Sequence, residues 1–286
     1  MAERLAPEIG ASAGRLRDLL VESRRRARIA RRRAIPSRRA LPTFLIIGAQ
    51  KGGTTSLHEY LAEHPGVGAA EIKEVHYFTL HSQRPLDWYR AHFPREGRHL
   101  HVFESTPYYL FHPCCPARIR AALPDVRLIA LLRDPVSRAH SHHQHERALG
   151  FESLEFAEAL AREPERLAGE EERLLNEPGY RSYAHQHYSY LARGRYDRQL
   201  ERWLEHFPRE QMLILASEEL FSDPRTTVHR VQAWLGLDPH TPARLTARGA
   251  RAYPPLDDGL RAQLKDVFRD SSARAAHLAE VDFPWA

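Results

Sequence analysis

The sequence is short of lysine, of cysteine and of long apolar runs, and each shortage excludes something. Its two cysteines, Cys114 and Cys115, are adjacent, so the chain builds neither a disulfide framework nor a cysteine-rich zinc site. No stretch approaches the ~20 consecutive apolar residues of a membrane-spanning helix. The first residues lack the apolar segment of a secretory signal, which makes a cytoplasmic protein the simplest expectation. With 286 residues, 42% hydrophobic and 28% charged, the composition is that of an ordinary globular protein with one large domain.

Lysine is the scarcer cation. Of 42 basic residues only Lys51, Lys73 and Lys265 are lysine. A compact ammonium on a flexible stem suits a phosphate or leaving-group oxygen, whereas arginine offers a planar fork. Two of the three lysines fall within residues 51–73. Arginine is concentrated at the start: residues 1–40 hold 12 Arg and four acids, a net +8 against +5 for the whole chain, leaving −3 for residues 41–286. The basic character therefore belongs to the leader. Its run from Arg24 to Arg33, RRRARIARRR, is of the kind that meets nucleic acid or acidic membrane surfaces. A solvated arm is favoured over a nucleic-acid site, with weak acidic-surface contact through residues 24–39 and no obligatory nucleic acid. Residues 1–41 are read as an Arg-rich extension, helical or disordered, and residues 42–286 as the folded domain.

Thr43 to Ile47 is a short apolar run ending at Gly48, the pattern of a buried parallel strand. A helix is expected from about Thr54 to His64, closed by Pro65-Gly66. Further strands are expected at His101–Glu104, Arg127–Leu132 and Met212–Ala216, with helical patterns between them around Leu200–Phe207 and Val228–Leu235. Alternation of this kind implies right-handed βαβ units: a single α/β domain with a central, mainly parallel sheet flanked by helices. The acid-rich stretch Glu163–Pro178 reads as a loop or lid.

Between the first strand and its helix stands Gly48-Ala49-Gln50-Lys51-Gly52-Gly53-Thr54-Thr55. The glycines let the backbone approach an anion, the helix start supplies free N–H groups and a favourable dipole, and Lys51, Thr54 and Thr55 add charge and hydroxyls. The order differs from a Walker A loop, where Lys follows the last glycine and precedes Ser/Thr. A phosphate-bearing ligand other than a magnesium-bound triphosphate is the better fit. A second anchor lies at the end of Leu128–Leu132. Arg133-Asp134-Pro135 sits where open α/β sheets place their ligands. Asp134 and Pro135 form a helix start, and Ser141 follows two turns along. Arg133 and Ser141 are candidates to converge on one phosphate, the alternative for Arg133 being a carboxylate partner.

These segments, with Lys73-Glu74-Val75-His76-Tyr77-Phe78, Glu104-Ser105-Thr106-Pro107-Tyr108-Tyr109, Gly194-Arg195-Tyr196 and the stretch from Ser217, resemble the sulfotransferases that use 3′-phosphoadenosine 5′-phosphosulfate (PAPS). The carbohydrate branch, with the heparan sulfate enzymes and bacterial relatives, is the most similar. The resemblance covers roughly residues 43 to 286. It implies a P-loop-like nucleotide-binding fold and sulfuryl transfer leaving 3′,5′-adenosine bisphosphate (PAP), with no metal required. It also implies a small-molecule or carbohydrate acceptor, and leaves the oligomeric state open. By the same resemblance Gln50, Lys51, Gly52, Gly53, Thr54, Thr55 and Ser56 hold the phosphosulfate, with Lys51 on the departing oxygen. Arg133 and Ser141 hold the 3′-phosphate, and Arg248 belongs to a closing loop of irregular form. Glu74 matches the general base, tuned or oriented by Lys73 and His76, with His76 as the alternative base. Burial in a closed cleft is expected to raise the Glu74 pKa.

The chain departs from the glycosaminoglycan enzymes at Ser105 and Thr55, where many of them carry Lys and some carry Arg. Less positive charge on the acceptor side points away from a highly sulfated polyanion and toward the hydroxyl of a small sugar, lipid or secondary metabolite. Tyr108, Tyr109, Phe111, Trp88 and Tyr89 are read as core or pocket lining. The histidines 140, 142, 143 and 145 are read as polar residues of a helix rather than a metal site. A kinase or other NTPase, and a protein acting through the basic arm, are the competing readings.

Overall fold

The computed structural model describes residues 21–33, 38–245 and 254–286. Residues 21–33 form a helix, α1, that buries Ile29 and exposes most of its arginines. Arg28 and Arg32 both reach Glu71, at 2.7 and 3.0 Å. Ala40 donates its N–H to the Pro94 carbonyl at 3.1 Å and Arg39 Nη1 to that of Phe93 at 3.0 Å, so contacts with the body begin ahead of Pro42.

Five strands and twelve further helices follow: β1 Phe44–Gly48, α2 Thr54–Ala62, β2 Val67–Ala69, α3 Leu86–Arg90, β3 His101–Ser105, α4 Tyr108–Phe111, α5 Cys115–Ala122, β4 Arg127–Leu132, α6 Pro135–Leu149, α7 Phe156–Leu167, α8 Glu170–Asn176, α9 Tyr183–His187, α10 Tyr196–Leu204, β5 Met212–Ala216, α11 Ser217–Ser222, α12 Pro224–Leu235 and α13 Asp258–Ala279. The strands form one sheet, wholly parallel, in the order β2-β3-β1-β4-β5. Every residue of β1 and β5 is buried. A parallel sheet covered on both faces demands this, because neither set of alternating side chains meets water. Phe44 and Ile46 pack with Leu57 and Leu61 of α2 and Val228 and Val231 of α12 on one face. Leu45 and Ile47 pack with Leu110, Ile119, Trp203 and Ala275 on the other.

β2 has only three residues and no sequence signal. Gly68 lies within it because a Cβ there would stand 2.7 Å from His99 and 2.8 Å from Pro94. The expected loop at Glu163–Pro178 is instead helical, in α7 and α8. Phe156, Ala159, Leu160 and Glu163 occupy the buried face of α7, so a carboxylate takes the fourth slot of an apolar stripe and hides the period. Glu163 accepts the backbone N–H groups of Leu191 at 2.7 Å and Ala192 at 2.8 Å, and burial pushes its pKa up to about 7. Three glutamates open α8, where negative charge favours a helix start.

Burial of histidine sets the response to acid. Desolvation lowers His58 to about 4 and His112 to about 3, and it lowers His142 and His185 as well. Such groups stay neutral in the folded chain but protonate near 6.5 when unfolded. Their contribution is complete above 6.5 and is lost as pH falls toward the folded values. Each costs on the order of 1.4 kcal/mol per pH unit in that window. Denaturant midpoints measured from pH 7.5 to 5 are expected to fall steeply below about 6.5. A flat profile contradicts the burial of these imidazoles.

Candidate active site

Adjacent strands β1 and β4 send their following connections to opposite sides of the sheet, and such a switch point opens a crevice at the carboxyl ends. The loop after β1 and Arg133 after β4 meet there. Ala49 donates its N–H to Leu131 O at 2.8 Å, and Arg133 Nη1 donates to Lys51 O at 3.2 Å. A Cβ on Gly52 would lie 2.6 Å from the Leu131 carbonyl oxygen, and Gly53 adopts φ 91°, so both positions require glycine. Ser217, opening α11 after β5, donates Oγ–H to Gly52 O at 2.8 Å. Thr54, Thr55 and Ser56 begin α2.

Asp134 caps α6 through the Val136 N–H at 3.1 Å, and its own N–H donates to Glu218 at 3.0 Å. Arg133 lies over the Phe221 ring, 5.6 Å from its centroid. Ser141 is buried on α6, two turns beyond Arg133. Arg248 lies outside the described residues.

On the other side of β1, the segment after β2 crosses the end of β3. Glu74 N–H donates to Ser105 O at 3.0 Å, and Val75 N–H donates to the Glu104 carboxylate at 3.2 Å. Glu104 is fully buried and accepts from Tyr89 at 2.6 Å, Tyr109 at 2.8 Å and Thr106 at 2.7 Å. It clamps the backbone between Glu74 and His76. Lys51, Glu74 and His76 are three of the four non-glycine residues with positive φ among the described residues, at 72°, 60° and 55°. Such conformations cost about 1–3 kcal/mol each and persist where surrounding structure enforces them, which is typical of active sites.

Lys73 Nζ lies 2.5 Å from one Glu74 oxygen and His76 Nε2 3.5 Å from the other. Burial raises the Glu74 carboxyl pKa, but the His76 contact and the Lys73 charge outweigh it and hold the group at about 2. The raised value expected for a base is therefore corrected: Glu74 is ionised throughout the neutral range. His76 Nδ1 sits 3.1 Å from Thr79 Oγ1.

A cavity of about 200 Å³ joins the two halves, its wall including Gln50, Glu74, His76, Tyr108, Glu146 and Arg193. The last two are absent from the motif reading. Glu146 accepts from His187 Nδ1 at 2.8 Å and lies 3.2 Å from His142 Nε2. These contacts outweigh burial and hold it at about 2. Arg193 Nη1 donates to Gln50 Oε1 at 2.6 Å. Neither residue carries a local signal: Glu146 sits in a polar helix and Arg193 in an arginine-rich chain. Tyr89 and Tyr109 belong to the core around Glu104, while Tyr108 lines the cavity. No cluster of three or more metal-type ligands occurs among the described residues.

Residues 41–247 match the family model described as a sulfotransferase domain. The chain is 31% identical over 282 residues to heparan sulfate glucosamine 3-O-sulfotransferase 6 of Homo sapiens, covering 87% of this chain and 75% of that protein. It is 32% identical over 269 residues to the 3B1 enzyme of Mus musculus, covering 86% of this chain and 65% of that protein. A crystal structure of a sulfotransferase from Alicyclobacillus acidocaldarius superposes with a TM-score of 0.70 at 29% identity, covering 85% of this chain and 97% of that one.

If Lys73 is what depresses Glu74, Lys73→Met raises the Glu74 pKa toward the usual carboxylate value, read by NMR titration of side-chain-labelled glutamate. An unchanged titration assigns the effect to His76 alone.

Proposed function

The chain belongs to the sulfotransferase domain family, and on that premise we propose that it transfers a sulfuryl group from PAPS to a hydroxyl or amine of a small acceptor. The observation that carries this reading is the meeting, at the carboxyl ends of the central strands, of the strained glycine-rich loop, Arg133 and the Glu74–His76 pair. The loop offers what a phosphosulfate needs: a backbone held against β4 too tightly for any Cβ at Gly52, helix N–H groups, hydroxyls and Lys51. Arg133 and Ser141 would hold the 3′-phosphate, where a guanidinium gives paired donors.

The bound donor supplies an activated sulfur: its bond to the 5′-phosphate oxygen breaks as the acceptor oxygen or nitrogen bonds to sulfur, and the phosphate carries off the charge. Lys51 stabilises that charge on the leaving oxygen. Glu74 takes the acceptor proton. It is already ionised, and its basicity rises once Lys73 moves off the carboxylate, because Lys73 helps hold the pKa down. His76, within 3.5 Å, orients it or takes the proton itself. The Glu104 clamp fixes where both stand.

The relatives are named for carbohydrate substrates. For this chain a carbohydrate or other small hydroxyl compound with little charge is favoured over a densely sulfated chain. Two carboxylates, Glu74 and Glu146, are ionised in the cavity wall, and Ser105, whose carbonyl accepts the Glu74 N–H, is fully buried. A kinase reading has no comparable support.

Transfer from radiolabelled PAPS to unsulfated sugars and to a highly sulfated heparan oligosaccharide tests the acceptor class, with label expected on the former. Arg133→Ala is expected to weaken PAP binding about tenfold or more while leaving 5′-AMP binding nearly unchanged, the loss of one charge-assisted contact. Equal effects on both ligands remove Arg133 from the 3′-phosphate.

A further inference from the structure

Arg193 is buried, and among the described residues no carboxylate makes an ion pair with it; Glu146 and Glu163 act on it only through space. Its Nε donates to Ser189 Oγ at 2.7 Å, and its Nη2 donates to the carbonyls of His185 at 3.2 Å and Gln186 at 2.7 Å. Its Nη1 donates to Gln50 at 2.6 Å. The guanidinium stacks over Tyr108 and Phe111, 4.7 and 5.0 Å from their centroids. Burial lowers its pKa to about 10, leaving it charged at neutral pH.

A buried cation with no carboxylate in direct contact is costly. Neutral oxygens, aromatic faces and the more distant Glu146 and Glu163 offset part of that cost. A guanidinium has five N–H donors, and four are engaged. The fifth is on Nη1, the nitrogen that holds Gln50 of the donor loop. Arg193 also lines the cavity that contains Glu74. The free donor thus sits on the nitrogen that holds the loop, in the wall of the cavity that the loop residue Gln50 and the candidate base Glu74 share.

We infer that Arg193 binds the sulfuryl group in transfer, its Nη1 completing its hydrogen bonds on a sulfuryl oxygen. This rests on the sulfotransferase reading and adds a residue to it. The sulfuryl group carries one negative charge on the donor and on the product alike. Arg193 therefore neutralises it throughout, while Lys51 answers the charge that develops on the leaving phosphate. The Gln50 contact ties the cation to the loop, so donor and counter-charge are positioned together.

The proposal separates two ligands that differ by one group. PAPS carries the sulfuryl group and PAP does not. Calorimetry on the full chain without acceptor is expected to show that R193M weakens PAPS about tenfold or more, the size of one charge-assisted hydrogen bond, with PAP held within about twofold. R193Q, which keeps hydrogen-bonding groups without the charge, gives the same selective loss and serves if R193M does not fold. Equal loss of both ligands would make Arg193 a support for the loop through Gln50, and no loss would make it a core residue; either overturns the proposal. A wild-type chain that binds neither ligand defeats the sulfotransferase reading itself, a different failure.

Discussion

The parallel pairing of β1 with β4 is the constraint on which the rest of the site depends. It brings Leu131 O against Ala49 N–H and forbids a side chain at Gly52. It also sets Arg133 where it donates to Lys51 O. The loop has little freedom left, since β5 adds Ser217 beneath Gly52 and Glu218 beneath Asp134. An anion-binding loop built this way is preorganised: the carbonyls of Lys51 and Gly52 are already taken by Arg133 and Ser217. Preorganised donors aimed at developing charge are the strongest electrostatic device available to such a site.

The acceptor side is built by a different means. Glu104 sits at the end of β3 with four donors on its two oxygens. A buried carboxylate of this kind holds its neighbours in one arrangement, because any departure leaves an expensive unpaired acceptor. Val75 is one of those neighbours, and the residues either side of it are Glu74 and His76. The left-handed backbone at both follows from this clamp. One strand end therefore shapes the donor loop and the next shapes the candidate base, with Arg193 and Gln50 joining them.

Much of this was legible in the sequence because it rests on local signals. β4 and β5 fall where continuous apolar runs place them, and Asp134-Pro135 opens α6 as a capped helix. The loop is readable because glycine and lysine have few other reasons to stand together between a strand and a helix. What escaped depends on distant partners. Glu163 interrupts an apolar stripe yet is buried, because two backbone N–H groups from residues 191 and 192 meet it. The low pKa of Glu74 comes from the left-handed turn that brings Lys73 and His76 around the carboxylate. Arg193 has no motif; its meaning lies in the spare donor on the nitrogen that holds Gln50.

We propose the β1–β4 crevice as the site for a 3′-phosphorylated nucleotide. It is tested most directly by calorimetry of the wild-type chain with PAP, 5′-AMP and Mg-ATP in parallel. Tight, metal-independent binding of PAP is expected, with at least tenfold weaker binding of 5′-AMP, the contribution of one bidentate arginine–phosphate contact. Preference for Mg-ATP, or equal binding of PAP and 5′-AMP, would contradict it.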